Sequence, residues 1–139
     1  MPADCFVDTN ILIYALDNDG GVKHVRAREL VLKFWEANSW PWISVQVLQE
    51  MHMNLERNGL GRKEVTNIIH DYFAWNVVDN NLSLFRMGLI EQERWKLSLW
   101  DSMILAAARK AGVSRLYTED LNNGQDYGGI VAVNPFVVH

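Results

Sequence analysis

The sequence predicts an α/β domain on a mostly parallel sheet with helices on both faces, and three observations carry that expectation. Short apolar runs of four to six residues alternate with longer stretches of helical period. Turn residues such as Asn18-Asp19-Gly20-Gly21 and Asn122-Asn123-Gly124 separate them. No repeat, low-complexity tract or Pro/Ser-rich linker interrupts the alternation, so one domain over residues 1–139 is expected.

Cys5 to Asp8 reads as a short buried strand, followed by a helix from Asn10 to Asp17 that the Asn/Asp/Gly turn stops. From Val22 to Ala37, Ala27, Leu30, Val31 and Phe34 follow the i, i+3, i+4, i+7 spacing of an amphipathic helix. Trp40 to Ser44 reads as a second strand, with Ser44 as N-cap of a helix running to about Asn58. Val65, Ile68, Ile69 and Phe73 suggest a helix from Arg62 to Trp75, and Asn76 to Val78 a third strand. Leu82 to Lys96 is helical by propensity and spacing. Ser98 opens the clearest helix, with Trp100, Met103, Ile104, Ala107, Ala108 and Ala111 on one face and Gly112 closing it. Arg115 to Thr118 and Ile130 to Val133 complete the strands. The prolines Pro2, Pro41 and Pro135 fall at expected connections or strand edges.

Composition excludes several classes. The formal charge is −4, so the chain lacks the basic footprint of a protein that holds nucleic acid mainly by neutralising phosphates. The longest apolar runs, Ile11 to Leu16 and Met103 to Ala108, are six residues each, against the roughly 20 needed to cross a bilayer. No membrane span is expected. Asp4 and Asp8 sit where an export signal would be basic and then apolar, which makes the cytoplasm the default location. The single cysteine, Cys5, allows neither an intramolecular disulfide nor a cysteine-based zinc cluster.

In a parallel α/β sheet, strand C-termini and helix N-termini share one edge, and ligands bind there. Asp8 ends the first strand, Asp101 lies in the first turn after Ser98, Asp120 follows the fourth strand, and Glu50 lies in the second turn after Ser44. Each acid has an ordinary structural reading: Asp8 as a helix cap, Asp101 as half of a capping box, Asp120 as a turn former, Glu50 as a solvated helix residue. Those readings do not predict convergence. Two carboxylates about 4 Å apart repel by roughly 4 kcal/mol at an effective dielectric near 20, a cost that a bound divalent cation removes. All-oxygen donors, without a zinc-type histidine spacing, favour Mg2+, with Mn2+ able to substitute.

These residues resemble the successive motifs of PIN-domain nucleases: Asp8-Thr9-Asn10 after the first strand, Glu50 in the third helix, Leu99-Trp100-Asp101-Ser102 heading an alanine-rich helix, and Leu116-Tyr117-Thr118-Glu119-Asp120-Leu121. Within that family the chain is most similar to VapC-type toxins of toxin-antitoxin pairs. The resemblance implies a PIN-like α/β/α sandwich with a five-stranded sheet of order 3-2-1-4-5, which sets strands one and four side by side. It further implies a metal-dependent endoribonuclease in which Asp8, Asp101 and Asp120 hold the metal directly or through water, and Glu50 completes the ring or orients the attacking water. Thr9, and with it Ser44 and Asn122, would support those groups by hydrogen bonds. Of the neighbours Glu119 and Asp120 only one can join the ring if strand alternation continues, and the motif places the acid at Asp120; Asp126 is an additional candidate. A cognate antitoxin in an apolar groove of the early helices and a homodimer are the implied partners, beside the RNA substrate.

Arg26, Arg57, Arg62, Lys63, Arg94, Lys96, Arg109 and Lys110 are candidate phosphate contacts or, read more simply, solvated helix surface. Of the six tryptophans, Trp40 and Trp42 share a side and could belong to a core or to a partner surface. His24, His52, His70 and His139 form no triad with a nucleophile. Two rival readings stand: His52, His70-Asp71 and Asp101 mimic an HD-type metal phosphohydrolase, which is all-helical, and a PIN-like scaffold could bind RNA or protein without cutting.

Overall fold

In a computed structural model, residues 3–137 are described, and Pro2 and His139 lie outside them. Eleven elements follow in order: β1 (Phe6–Val7), α1 (Thr9–Leu16), α2 (Val22–Ala37), β2 (Trp42–Ser44), α3 (Val45–Arg57), α4 (Arg62–Tyr72), β3 (Asn76–Val78), α5 (Leu82–Trp95), α6 (Leu99–Ala111), β4 (Arg115–Tyr117) and β5 (Val131–Val133). The strands form a single sheet of order β3-β2-β1-β4-β5, every pairing parallel. That sheet removes the all-helical HD alternative. No helix among the described residues is long and apolar enough to cross a membrane.

Local chemistry explains where elements end earlier than the apolar pattern suggested. β1 stops at Val7 because Asp8 becomes the N-cap of α1, its carboxylate accepting the Thr9 amide at 2.7 Å. β2 starts at Trp42 because Pro41 has no N–H for the ladder; the first parallel bond is Trp42 N–H to the Cys5 carbonyl, 2.9 Å. α4 ends at Tyr72, and the chain beyond it carries Trp75 into an aromatic cluster with Trp35, Phe34 and Tyr72, ring centroids 4.9 to 5.9 Å apart. Trp40 joins through Trp35 at 5.3 Å, and both Trp40 and Trp42 pack against the core rather than forming a bare partner surface.

The core lies on both faces of the sheet: Phe6, Val7, Ile43, Leu116 and Ala132 from the strands meet Ile11, Leu12, Val47, Met51 and Ala27 from α1, α3 and α2, and the central helix α6. Spacing predicted a one-sided α6, but the whole run Ser102–Ala108 is buried, since α6 is enclosed by α5, β2, β3 and β4. Gly88 of α5 lets the two helices approach closely, as an added Cβ would run into the Met103 sulfur. Gly112 ends α6 in the left-handed conformation at φ +76, where a side chain would be strained. Trp100, expected on the buried face, lies in the overhanging first turn and is 67% exposed.

An ion pair between the buried Glu91 carboxylate and the partly exposed Arg109 ties α5, α6 and the segment before β5 together. Arg109 donates through Nε and Nη2 to the two carboxylate oxygens of Glu91, at 2.6 and 3.0 Å, and through Nη1 and Nη2 to the carbonyls of Gly128 and Tyr127. Trp95 Nε1 donates to the same carboxylate at 3.0 Å. Arg109 is therefore committed to the fold and is withdrawn as a phosphate contact. Burial pushes the Cys5 thiol up to about 12, leaving it a buried hydrophobic residue just before β1.

Candidate active site

The rim where the parallel strands end collects the predicted acids. In the order β3-β2-β1-β4-β5 the chain's direction across the sheet reverses between β1 and β4, and the pairings Phe6 with Leu116 and Val7 with Tyr117 set Asp8 beside Thr118. Asp8 is 4% exposed. Its Oδ1 accepts from Thr9 N–H and its Oδ2 from the Thr118 hydroxyl at 2.8 Å, while Thr118 Oγ1 accepts the Asp120 amide at 3.0 Å. A fully buried threonine thus couples two of the acids. Asn10 Nδ2 donates to Asp120 Oδ2 at 3.0 Å, and Gln46 Nε2 donates to Glu50 Oε1 at 2.7 Å and to the Trp100 carbonyl at 3.3 Å.

Two clefts share this rim. One, of about 240 Å³, is bordered by Asp8, Thr9, Asn10, Glu50, Glu119 and Asp120. The other, of about 540 Å³, is bordered by Gln46, Gln49, Glu50, Trp100, Asp101 and Asp120. Glu50 and Asp120 border both clefts, so the four acids line two adjoining parts of one acidic rim, the recess.

Electrostatics register the crowding. Burial pushes the Asp8 carboxyl up to about 7 against the opposing hydrogen bonds from Thr118 and Thr9, and the charges of Asp120 and Glu50 push the same way. Asp101 is raised by burial, then by Asp120 and Glu50, against a Ser98 hydrogen bond; Asp120 is raised by burial and by Glu119, against Asn10. All three acids are held above their ordinary range chiefly by burial, with neighbouring carboxylates, Glu119 in the case of Asp120, adding to it.

A divalent cation fits the donor chemistry but not as a closed ring. Among the described residues no three acids, histidines or cysteines stand close enough to grip one ion alone. Asp8, Asp101 and Asp120 are expected to hold the ion directly or through water, and a hard cation that keeps several of its waters needs few direct ligands. Thr9 Oγ1 and Asn10 Oδ1, both on the smaller cleft, are buried oxygens without a hydrogen-bond partner, a further fit to a hydrated cation.

Several supporting roles differ from expectation. Thr9 does hydrogen-bond Asp8, through its amide, and a second hydrogen bond to Asp8 comes from the Thr118 hydroxyl. Ser44 Oγ accepts Val47 N–H as the N-cap of α3, and Asn122 bonds Gln125 and Tyr127 on the exposed loop, so neither is bonded to the acids. Asp126 accepts the Gly129 amide and closes a turn. Glu119 and Asp120 border the same cleft because the chain bends after Tyr117, so strand alternation no longer applies; Glu119 is occupied by Lys23 at 2.8 Å. Lys23, which reaches the smaller cleft's edge through Glu119, is not among the basic residues that the sequence singles out, since its position on α2 points there only once α1 and α2 are packed.

Ser98 Oγ accepts the Asp101 amide at 3.2 Å and opens α6. Ser98→Ala is expected to lower stability by about 1 kcal/mol, read as a melting-temperature decrease of a few degrees, by removing that cap.

A parallel 3-2-1-4-5 sheet with an acidic recess at its switch point defines a class of α/β domains whose chemistry is carried by clustered carboxylates. The PIN domain family model matches residues 5–123, and the chain belongs to the PIN domain family. No curated protein matches it in sequence. Among solved structures it is similar to a toxin-antitoxin complex from Klebsiella pneumoniae (22% identity, TM-score 0.69, covering 96% of this chain and 99% of that one). It is also similar to DNA-bound VapBC from Salmonella typhimurium (21%, 0.66, 95% and 97%). A third similar structure is Mycobacterium tuberculosis VapC20, described as a sarcin-ricin loop cleaving toxin (22%, 0.62, 84% and 91%). At these identities the likeness is one of fold.

Proposed function

We propose that the protein is a magnesium-dependent endoribonuclease and the toxin of a toxin-antitoxin pair, acting in the cytoplasm. The observation that carries this reading is the recess formed by Asp8, Glu50, Asp101 and Asp120 at the switch point of a PIN fold, with Asp8, Asp101 and Asp120 all raised. The acids would hold Mg2+, or Mn2+ in its place, largely through water, and Thr9 and Asn10 offer further oxygens. When bound, the ion screens the phosphodiester's charge and lowers the pKa of a water at the site.

The chain's own groups do the positioning. Thr118 and the Thr9 amide fix both oxygens of Asp8, and Asn10 fixes Asp120, so the recess needs little rearrangement to receive a phosphate. Gln46 holds one oxygen of Glu50, and we assign the other to orienting the attacking water and accepting its proton. In-line attack on phosphorus forms the new P–O bond and breaks the P–O3′ bond, and the departing 3′ oxygen takes a proton from solvent, leaving a 5′-phosphate and a 3′-hydroxyl. Lys23 holds Glu119, which moderates the negative charge the substrate meets.

Partner surfaces accord with this reading. An apolar cleft of about 620 Å³ between α3 and α4, bordered by Leu48, Met53, Ile69 and Phe73, suits an antitoxin segment. The exposed residues Leu82, Phe85, Leu89 and Ile90 on α5 suit a homodimer. One observation favours a second reading, a non-cutting PIN scaffold: no three acids converge on one point among the described residues.

Purified protein freed of partner decides between them. Cleavage of RNA with millimolar Mg2+ and none with a chelator is expected. Added Mg2+ should also raise the melting temperature by relieving carboxylate repulsion. Intact RNA and an unmoved melting curve would establish the scaffold. Growth inhibition on expression, relieved by co-expressing the neighbouring small reading frame, is the expected outcome for the toxin assignment.

A further inference from the structure

Trp100 is 67% exposed and borders the larger cleft of the acidic recess together with Asp101 and Asp120. It immediately precedes Asp101, and its backbone carbonyl accepts from Gln46, whose amide also holds Glu50. The backbone that carries this indole is thereby tied to Glu50 through Gln46 and to Asp101 as its chain neighbour. The cleft it borders, about 540 Å³, has room for a nucleotide's base. Its walls are mixed: Met53 and Trp100 offer apolar surface, Gln49 an exposed amide able to meet a base edge, and Asp101 and Asp120 the end at which a phosphate would lie.

We propose that Trp100 is a stacking platform for the base of the nucleotide flanking the scissile phosphate, within a base subsite completed by Gln49 and Met53. The proposal rests on the nuclease reading above. The net charge of −4 makes such a contact more valuable, because phosphate attraction alone gives this chain little hold on RNA. The alternative partner of this indole is a protein surface. The recess favours a base, since one wall of the same cleft is built from the acids that would act on the adjoining phosphate.

The test uses the full-length protein with short single-stranded RNA. Trp100→Ala is expected to raise KM for cleavage roughly ten-fold, with kcat changed less, and Trp100→Phe to recover most of the loss because it restores a π-face. With 5-fluorotryptophan-labelled protein, the 19F resonance that disappears in Trp100→Phe should shift on adding RNA with chelator present. A KM within two-fold of wild type for Trp100→Ala, together with an unmoved Trp100 resonance, would overturn the stacking role. So would a change in oligomeric state by light scattering with KM unchanged, which would assign the indole to a protein interface. If wild type cuts no RNA but the Trp100 resonance still shifts, the base subsite stands and the nuclease reading fails.

Discussion

Asp8→Asn is expected to lower RNA cleavage by at least about a hundred-fold while making the metal-free protein more stable at pH 8. The two effects have one cause. Asp8 is buried, its folded-state pKa of about 7 lies above the roughly 3.9 of an unfolded aspartate, and folding therefore takes up a proton between those values. The stability linked to this group is complete below about pH 4 and is lost as pH rises through 7, to a ceiling of about 4 kcal/mol at 1.36 kcal/mol per unit. Asn keeps an oxygen for the Thr9 amide and loses the charge, so the variant escapes that loss but cannot attract a cation. Thermal melts in chelator at pH 5 and pH 8 check it. Wild type should melt higher at pH 5 with the variant nearly flat, and Mg2+ should restore wild type alone at pH 8.

Arg109→Met is expected to cost about 3 to 5 kcal/mol, because it leaves the Glu91 carboxylate buried with only the Trp95 indole N–H beside it. It also strips the Gly128 and Tyr127 carbonyls of a donor. Paired replacement, Glu91→Leu with Arg109→Met, should recover most of the loss, since an apolar pair of similar volume avoids the uncompensated charge. Denaturant melts of the two single variants and the double variant check this. A single Arg109→Met variant within 1 kcal/mol of wild type would show that the pair contributes little.

Much of the fold was legible because helix signals here are strong. Val22–Ala37 and Asn76–Val78 occupy the expected bounds, and Ser44, Ser98 and Gly112 cap the helices as their residue types suggest. Placing Asp8, Glu50, Asp101 and Asp120 on one rim needed only the rule that parallel strands end at a common edge. Which atoms touch was not legible. The Thr118 to Asp8 bond joins residues 110 apart and depends on the register of β1 against β4, two strands too short to advertise a register. The supporting roles of Thr9, Ser44 and Asn122 follow only from the family resemblance, and hydroxyls and amides near a helix start or loop find local backbone partners as readily as a distant acid. Trp100 was placed inside by helical period, which cannot tell that the first turn of α6 projects beyond the sheet.

The account depends on a recess whose carboxylates take up a divalent cation, and Mn2+ electron paramagnetic resonance addresses that directly. Titrating metal-free protein with Mn2+ should suppress the free-ion signal in proportion to protein for wild type. A variant carrying Asp8→Asn, Asp101→Asn and Asp120→Asn should leave that signal unchanged. A wild-type protein that leaves the free Mn2+ signal intact, or a triple variant that suppresses it equally, would contradict the cation site and with it the cleavage chemistry assigned to these residues.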